Sequence, residues 1–198
     1  MTSDLDVLAE SARHCTACPL YRNATQTVFG KGISRAGGVV FVGEQPGDSE
    51  DKAGEPFIGP AGKLLDRAMA EAGIDRTTVY VTNAVKHFKW EARGKRRLHQ
   101  SPNSRDIAAC KPWMEAELAI LAPCVLVCLG STATRSILGP DARVLRDRGQ
   151  ILHSSYCEQT VVTVHPSALL RATDETSRVA AYTAFVADLK LVAKLMRR

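Results

Sequence analysis

Several features that define other protein classes are missing from this 198-residue chain. No apolar run approaches the roughly 20 residues of a membrane-spanning helix, which argues against a membrane protein. Residues 1–13 carry three carboxylates and no apolar core, so they do not resemble a secretory signal. Internal repeats and low-complexity linkers are also absent, and the length predicts one domain over residues 1–198. We therefore expect a monomeric, cytoplasmic, globular protein.

Aromatic residues make up only 6% of the chain, whereas Lys and Arg outnumber Asp and Glu and give a net charge of +5. A basic balance of this kind favours a nucleic-acid partner without requiring one. The chain has six cysteines. Without an export signal, cysteines are more typical of metal binding or catalysis than of a disulfide framework.

Short apolar runs rich in β-branched residues predict four buried strands, over residues 39–42, 79–82, 125–129 and 160–164. Helical spacing of apolar residues predicts helices over residues 60–72, 104–121, 131–138 and 173–196. Pro112 lies inside the second of them and is expected to mark a break or a fresh helix start. The alternation of strands and helices predicts an α/β fold, with a parallel sheet covered on both faces.

Polar residues follow the predicted strands, at the sheet edge where ligands bind in such folds. Glu44 and Gln45 come directly after the first strand, and Asn83 ends the second. His165 follows the fourth, next to a proline that suits the first position of a helix. A carboxylate, an amide and an imidazole at one edge suggest a reactive crevice. Ordinary turn-forming or structural roles remain open for each of them.

Phe57 lies in a loop between two prolines, where a buried ring is less expected. A ring held there would stack on a planar ligand such as a base. The alternative is that Phe57 closes the hydrophobic core. Asn83 likewise either matches the edge of a base with its donors and acceptor or simply forms a turn.

The segment Gly94-Lys95-Arg96-Arg97-Leu98-His99 places an imidazole behind three cations, in what we interpret as a loop. The cations disfavour a positive charge on His99, and a neutral ring can act as a base or a nucleophile. They would also attract a polyanion. The alternative is a solvated basic loop with no chemistry.

A CxxC motif at Cys15 and Cys18 is compatible with zinc, an iron–sulfur cluster or redox chemistry. A metal needs further ligands, and Cys110 is a candidate. His87 is a possible fourth ligand, but spacing alone does not favour it over Cys124.

Taken together, these motifs resemble the uracil-DNA glycosylase superfamily, in its iron–sulfur (family 4) branch. The resemblance rests on CxxCPLY at 15–21, GEQPGDSEDKAGEPFIGPAGKLLD at 43–66, VYVTNAVK at 79–86, Cys110 and HPS at 165–167. Gln45, His87 and the KRRLH segment resemble most closely the UdgX-type glycosylases, which cross-link to uracil-containing DNA.

This resemblance implies a three-layer αβα fold with a four-stranded parallel sheet and a [4Fe-4S] cluster. The motif match assigns the cluster to Cys15, Cys18, His87 and Cys110, although His87 stands where the wider branch has a cysteine.

The resemblance also implies the roles of the polar residues. Substrate binding falls to Gly43, Gln45, Asp48, Phe57 and Asn83. Phe57 stacks on uracil, Asn83 reads its edge, and His165 favours negative charge on the departing base. His99 attacks C1′ of the deoxyribose, Glu44 positions His99 or stabilises the sugar cation, and Arg97 orients the loop and contacts a phosphate. The implied partner is uracil-containing DNA, preferably single-stranded, with uracil as the released product.

Three alternatives stay open on the sequence. The protein is an ordinary turnover glycosylase if KRRLH only binds DNA. It is a non-enzymatic iron–sulfur module that binds nucleic acid if DNA binding is indifferent to uracil. The cysteines hold zinc if the protein is colourless.

Overall fold

The computed structural model describes residues 3–197. Met1, Thr2 and Arg198, which belong to the predicted domain, lie outside the described residues. A central sheet follows the strand order β1-β3-β2-β6-β8-β7. Its strands are β1 (Lys31–Gly32), β2 (Val39–Gly43), β3 (Val79–Asn83), β6 (Val125–Leu129), β7 (Ile151–Ser154) and β8 (Cys157–Thr163).

The prediction of a four-stranded parallel sheet is correct only for the centre of this sheet. Strands β3, β2, β6 and β8 are parallel neighbours, but β1 and β7 add antiparallel strands at the two edges. The sheet is therefore mixed and has six strands. The edge strands were missed because β1 has two residues and β7 is largely exposed, so neither has the apolar run of a buried strand.

The helices are α1 (Asp4–Ala12), α2 (Asp48–Ala53), α3 (Pro60–Ala72), α4 (Ser104–Leu121), α5 (Gly130–Leu138), α6 (Val144–Asp147), α7 (Pro166–Leu169) and α8 (Glu175–Leu195). Short 3₁₀ turns span Pro19–Arg22 and Arg76–Thr78. Pro112 does not break α4, contrary to prediction. A capping box of Asn103 and Asp106 starts α4, and the buried side chains after the proline hold the helix against the sheet.

Alternate residues of the central strands face two separate cores, which gives three layers. Val39 and Phe41 pack with the helices α3 and α8, and Val40 and Val42 pack with α4 and α5. The four central residues of β2 are all buried, as expected for a strand covered on both sides.

The KRRLH segment is not the loop that the sequence suggested. Arg96–His99 forms β5, which pairs antiparallel with β4 (Trp90–Arg93) in a hairpin separate from the main sheet. Gly94 adopts φ of 59° at the turn, a conformation that glycine accepts without strain. The strands escaped prediction because they are short and mostly charged.

In the described part of the chain, no helix combines the length and the apolarity that a membrane crossing requires.

Candidate active site

A cavity of about 850 Å³ opens beyond the carboxyl ends of β2, β3, β6 and β8, where ligands bind in open α/β sheets. Most of the predicted site residues meet there. The cavity is lined by Glu44, Gln45, Asp48, Phe57, Asn83, His99 and His165, among others. The sheet contributes one wall, and the β4–β5 hairpin brings His99 to the other.

Glu44 connects the two walls. Its Oε1 lies 3.3 Å from Nε2 of His99, and its Oε2 accepts a hydrogen bond of 2.6 Å from the hydroxyl of Thr132. Burial alone would raise the pKa of Glu44, but the hydrogen bonds from His99 and Thr132 outweigh burial and lower it. An ionised carboxylate only accepts hydrogen bonds, so the ring hydrogen lies on Nε2 and the lone pair of a neutral His99 lies on Nδ1.

His165 has the same Nε2–H tautomer as His99, but the protein engages its other ring nitrogen, Nδ1. It caps α7, as its position before Pro166 predicted, and its Nδ1 accepts a hydrogen bond from the backbone N–H of Ser167 at 3.2 Å. Burial lowers the pKa of His165 to about 4, so the ring is neutral near pH 7. Its hydrogen is therefore on Nε2, which leaves a donor in the cavity wall. Gly130 makes room for this ring, because a Cβ there would lie 2.8 Å from Cβ of His165.

Asn83 and Phe57 share the floor of the cavity with Gly43. A Cβ on Gly43 would lie 2.5 Å from Oδ1 of Asn83 and 2.6 Å from the Phe57 ring, so only glycine leaves space for both. Phe57 has φ of 59°, and its ring centroid lies 6.2 Å from that of His165. The ring is buried in the core and also lines the cavity, so the two interpretations of Phe57 are compatible.

Arg97 attaches the hairpin to α2. Its Nε lies 2.5 Å from Oδ1 of Asp48 and its Nη1 lies 2.6 Å from Oδ2 of Asp51. The guanidinium also lies over the rings of Phe88 and Trp90, at 5.4 and 5.3 Å from their centroids. Hydrogen bonds from Lys52 and Arg97 lower the pKa of Asp48. The charge of Arg97 is thus already paired, and the structure gives it an orienting position.

Gln45 holds the base of the same hairpin. Its Nε2 donates to the carbonyls of Lys89 and Gln100 at 3.2 and 3.0 Å, and its Oε1 accepts from the N–H of Lys89 at 3.1 Å. The amide of Gln45 lines the cavity with its hydrogen-bonding groups engaged by the hairpin. Substrate contact by Gln45 remains a prediction.

Sequence reasoning missed Thr132 and Asp51. Thr132 lies in the first turn of α5, two positions after Gly130, the first residue beyond β6. It would have been found if the first helical turn after the strand had been included among the candidate site residues. Asp48 and Asp51 are three residues apart and share one face of α2, a pattern that indicates a joint partner. Asp48 and Asp51 thus lie in the first turn of α2 and bind Arg97 of the hairpin.

The predicted cluster ligands lie around the start of the hairpin segment and α4. The thiol sulfur of Cys15 accepts a hydrogen bond of 3.1 Å from Nε1 of Trp113, and that of Cys110 accepts one of 3.1 Å from the N–H of Lys86. Burial, followed by smaller contributions that include neighbouring cysteines, raises the pKa of Cys18 and raises that of Cys110 to about 11. All three cysteines are free of disulfides.

His87, the fourth predicted ligand, has an unprotonated ring nitrogen. The Thr27 hydroxyl donates to the carbonyl of Ala12, so it accepts from Nε2 of His87 at 3.1 Å. The other ring nitrogen, Nδ1, is therefore a lone pair, and it is buried without a hydrogen-bond partner among the described residues. Burial lowers the pKa of His87, which keeps the ring neutral.

Within residues 3–197, no three His, Cys, Asp or Glu side chains are gathered closely enough to hold a single metal ion. An iron–sulfur cluster binds its ligands through separate iron atoms, so it needs them spread more widely. Three free thiols and one orphaned imidazole nitrogen are donors that fit such a group in their chemistry.

The family model of the uracil DNA glycosylase superfamily matches residues 30–190. The chain belongs to this superfamily. As a member of the uracil DNA glycosylase superfamily, the chain has an α/β fold, with a mixed sheet of six strands flanked by helices.

Several curated members of the superfamily are similar to the chain over most of its length. A type-4 uracil-DNA glycosylase from Thermotoga maritima is 37% identical over 168 residues, which cover 84% of this chain and 83% of the relative. A type-4 uracil-DNA glycosylase from Pyrobaculum aerophilum is 33% identical, with 85% of each chain covered. A third, from Sulfurisphaera tokodaii, is 34% identical, with 84% and 76% covered.

Proposed function

We propose that this protein is a uracil-DNA glycosylase that excises uracil and then remains bound to the deoxyribose through His99. The observation that carries the proposal is the contact between His99 and Glu44, in the same cavity as Asn83 and His165. The type-4 uracil-DNA glycosylases to which the chain is similar support the excision step. The covalent step rests on the resemblance to UdgX-type enzymes and on the position of His99.

Base recognition uses the sheet wall. A deoxyuridine leaves the base stack and enters the cavity, at a cost of a few kcal/mol in duplex DNA that is smaller in a single strand. We therefore propose single-stranded DNA as the preferred substrate. Phe57 stacks on the uracil ring, and the amide of Asn83 pairs with the N3–O4 edge, which cytosine presents with reversed polarity.

Excision depends on charge stabilisation. The bond between C1′ and uracil N1 breaks, and its electron pair leaves with the base. The Nε2–H donor of His165 stabilises the negative charge on the departing uracil. The sugar becomes an oxocarbenium-like cation, beside the ionised carboxylate of Glu44.

Capture by His99 completes the reaction. The lone pair of the unprotonated ring nitrogen forms a bond to C1′, and the ring becomes a positively charged N-alkyl imidazolium. The Glu44 carboxylate, 3.3 Å from the ring in the free protein, balances this charge. The product contains no good leaving group other than the histidine itself, so each protein molecule acts once.

We further propose that Cys15, Cys18, Cys110 and His87 hold a [4Fe-4S] cluster. The free thiols and the unprotonated Nδ1 of His87 support this assignment. Such a cluster supplies a structural clamp and an electron-transfer centre when bound. No step of the excision above uses such a cluster.

The proposal is tested by mixing the protein with a labelled single-stranded oligonucleotide that contains one uracil, followed by a denaturing gel. We expect a slowly migrating band that survives heat and detergent. The His99→Ala variant should abolish this band while it still releases uracil. A thymine oligonucleotide and the exposed variant His153→Ala are the matched controls.

Each outcome of this test has a distinct meaning. A stable band from His99→Ala would show that another residue is the nucleophile. Released uracil without any band, from the unaltered protein, would favour an ordinary turnover glycosylase in which the hairpin only binds DNA. Binding without uracil release would favour a nucleic-acid-binding module.

A further inference from the structure

Lys86 is a fully buried lysine that the mechanism above does not use. It lies in the turn after β3, with no exposed surface. Its ammonium group contacts three acceptors, the hydroxyl of Thr82 at 2.7 Å, the carbonyl of Asn83 at 2.8 Å and the carboxylate of Glu117. An ammonium group has three donors, so every one of them is satisfied.

Glu117 reaches this site from α4 and is equally buried. Its Oε1 accepts hydrogen bonds from the N–H of Gly30 at 3.0 Å and the phenol of Tyr80 at 2.9 Å. Burial and the adjacent Glu117 raise the pKa of Tyr80 above its ordinary value, so the phenol remains a donor. The network is complete, and removal of Lys86 alone would leave an uncompensated carboxylate in the interior.

The turn that Lys86 supports contacts the residues at the carboxyl ends of β2 and β3. The N–H of Ala84 donates to the carbonyl of Gly43, and the N–H of Val85 donates to the carbonyl of Glu44, each at 3.0 Å. The side chain of Lys86 binds the carbonyl of Asn83 from below. The backbone of the turn thus fixes the two residues that we assign to base recognition and to the His99 contact.

We propose that Lys86, through its pair with Glu117, is a positioning residue that sets Asn83 and Glu44 in their reactive geometry. This inference rests on the proposed glycosylase function. A buried ion pair is weak evidence for stability, because apolar residues of similar size often replace such pairs at no cost. The hydrogen bond from Lys86 to the carbonyl of Asn83 is directional, so it can hold the strand end in place. Misplacement of a reacting group by about 1 Å costs on the order of 100-fold in rate.

The test replaces the pair with a neutral one, Lys86→Met/Glu117→Gln. The new amide still accepts from Gly30 and Tyr80. The variant therefore removes the charges and the bonds from Lys86 to Thr82 and Asn83, while it keeps these two partners of residue 117. We expect uracil release under single-turnover conditions to fall by about 30- to 100-fold. The DNA concentration at half-maximal rate should change by less than about twofold, because no DNA contact is altered. Lys190→Met, on the exposed side of α8, is the matched control and should retain the rate.

Hydrogen exchange provides a second readout that does not depend on activity. The amides of Ala84 and Val85 should lose at least about tenfold in protection against hydrogen exchange. The reason is that the variant lacks the hydrogen bond from Lys86 to the carbonyl of Asn83, which holds the turn. The inference fails if the neutral pair keeps both the rate and this protection. It also fails if the DNA concentration at half-maximal rate rises while the maximal rate of uracil release stays unchanged.

A third variant covers a failure of the neutral pair to fold. Lys86→Arg keeps the charge but directs its donors differently, and we expect it to release uracil at least about tenfold more slowly. A rate equal to that of the unaltered protein would overturn the inference. Absence of uracil release from the unaltered protein would contradict the proposed function, whereas the exchange measurement would still test the role of Lys86.

Discussion

The two walls of the cavity are built by different means. On the sheet wall, Asn83 ends the buried strand β3 and His165 follows β8. The Lys86 ammonium group donates to the carbonyl of Asn83, and the N–H of Ser167 donates to Nδ1 of His165. On the hairpin wall, His99 lies on a short strand outside the main sheet, and about half of its side chain is exposed. Side chains, above all those of Arg97 and Gln45, attach that hairpin to the rest of the protein.

Because the two walls are built differently, we expect uracil excision and the proposed capture by His99 to respond differently to substitutions. Excision requires a rigid set of donors around the base, which the sheet wall supplies. The covalent capture that we propose requires in addition that the hairpin keeps His99 beside C1′. Changes in the sheet wall should therefore affect both steps, and changes in the hairpin attachment should affect mainly capture.

The largest expected effect is on the sheet wall. His165→Leu removes the donor that we assign to the departing uracil, and we expect uracil release to slow by about 100- to 1,000-fold. Adduct formation should slow by the same factor, because it follows excision. The measurement is single-turnover release of labelled uracil, with the exposed His153→Leu as control. Loss of the adduct alone would contradict the assigned order of the two steps.

The second effect concerns stability against pH. Burial lowers the pKa of His165 to about 4 from its ordinary 6.5. Between these values the unfolded chain binds a proton that the native ring excludes, so the free energy of unfolding should fall as the pH decreases from about 6.5 towards 4.

His165→Gln should lack this component, which amounts to at most about 3 kcal/mol. Urea denaturation of both proteins across this range measures the difference and separates it from contributions of other groups. His153→Gln, on an exposed strand, should behave like the unaltered protein. Parallel curves for the His165 variant and the unaltered protein would show that the ring is not excluded from protonation.

The smallest expected effect is on the hairpin wall. Arg97→Lys keeps the charge but cannot reach Asp48 and Asp51 with one planar fork. We expect adduct formation to slow by about tenfold while uracil release changes by less than about threefold. Arg96→Lys, at an exposed neighbouring position, is the control. Equal losses in both steps would show that the two walls are not independent.

Much of the site was predictable because it follows one rule of α/β sheets. Buried strands are recognisable as apolar runs, and residues that follow them must meet at one edge. Glu44, Asn83 and His165 were found in this way, and the structure brings them to one cavity. The superfamily was predictable from the same motifs and is confirmed by the family match.

Other parts were not predictable, because nothing local in the sequence encodes them. The KRRLH segment has no apolar periodicity, so its hairpin depends on pairing with β4 and on Arg97. Asp51 and Thr132 became recognisable only when their partners, Arg97 and Glu44, were placed beside them. The edge strands β1 and β7 likewise exist only because the neighbouring strands offer them backbone partners.

The sequence by itself determined the parallel centre of the sheet and the identity of the residues at its strand ends. It did so because burial on both faces requires continuous apolar runs, and because chain order then assigns the polar residues to one edge. Only the tertiary structure decided the tautomers of His99 and His165. The hydrogen-bond partner of one ring nitrogen fixes where the ring hydrogen lies. Glu44 accepts from Nε2 of His99, whereas the N–H of Ser167 donates to Nδ1 of His165. Both rings therefore carry their hydrogen on Nε2, but among the residues that the structure describes Nδ1 is left free in His99 and Nε2–H is left free in His165. The same residue type thus provides a lone pair on one wall and a donor on the other.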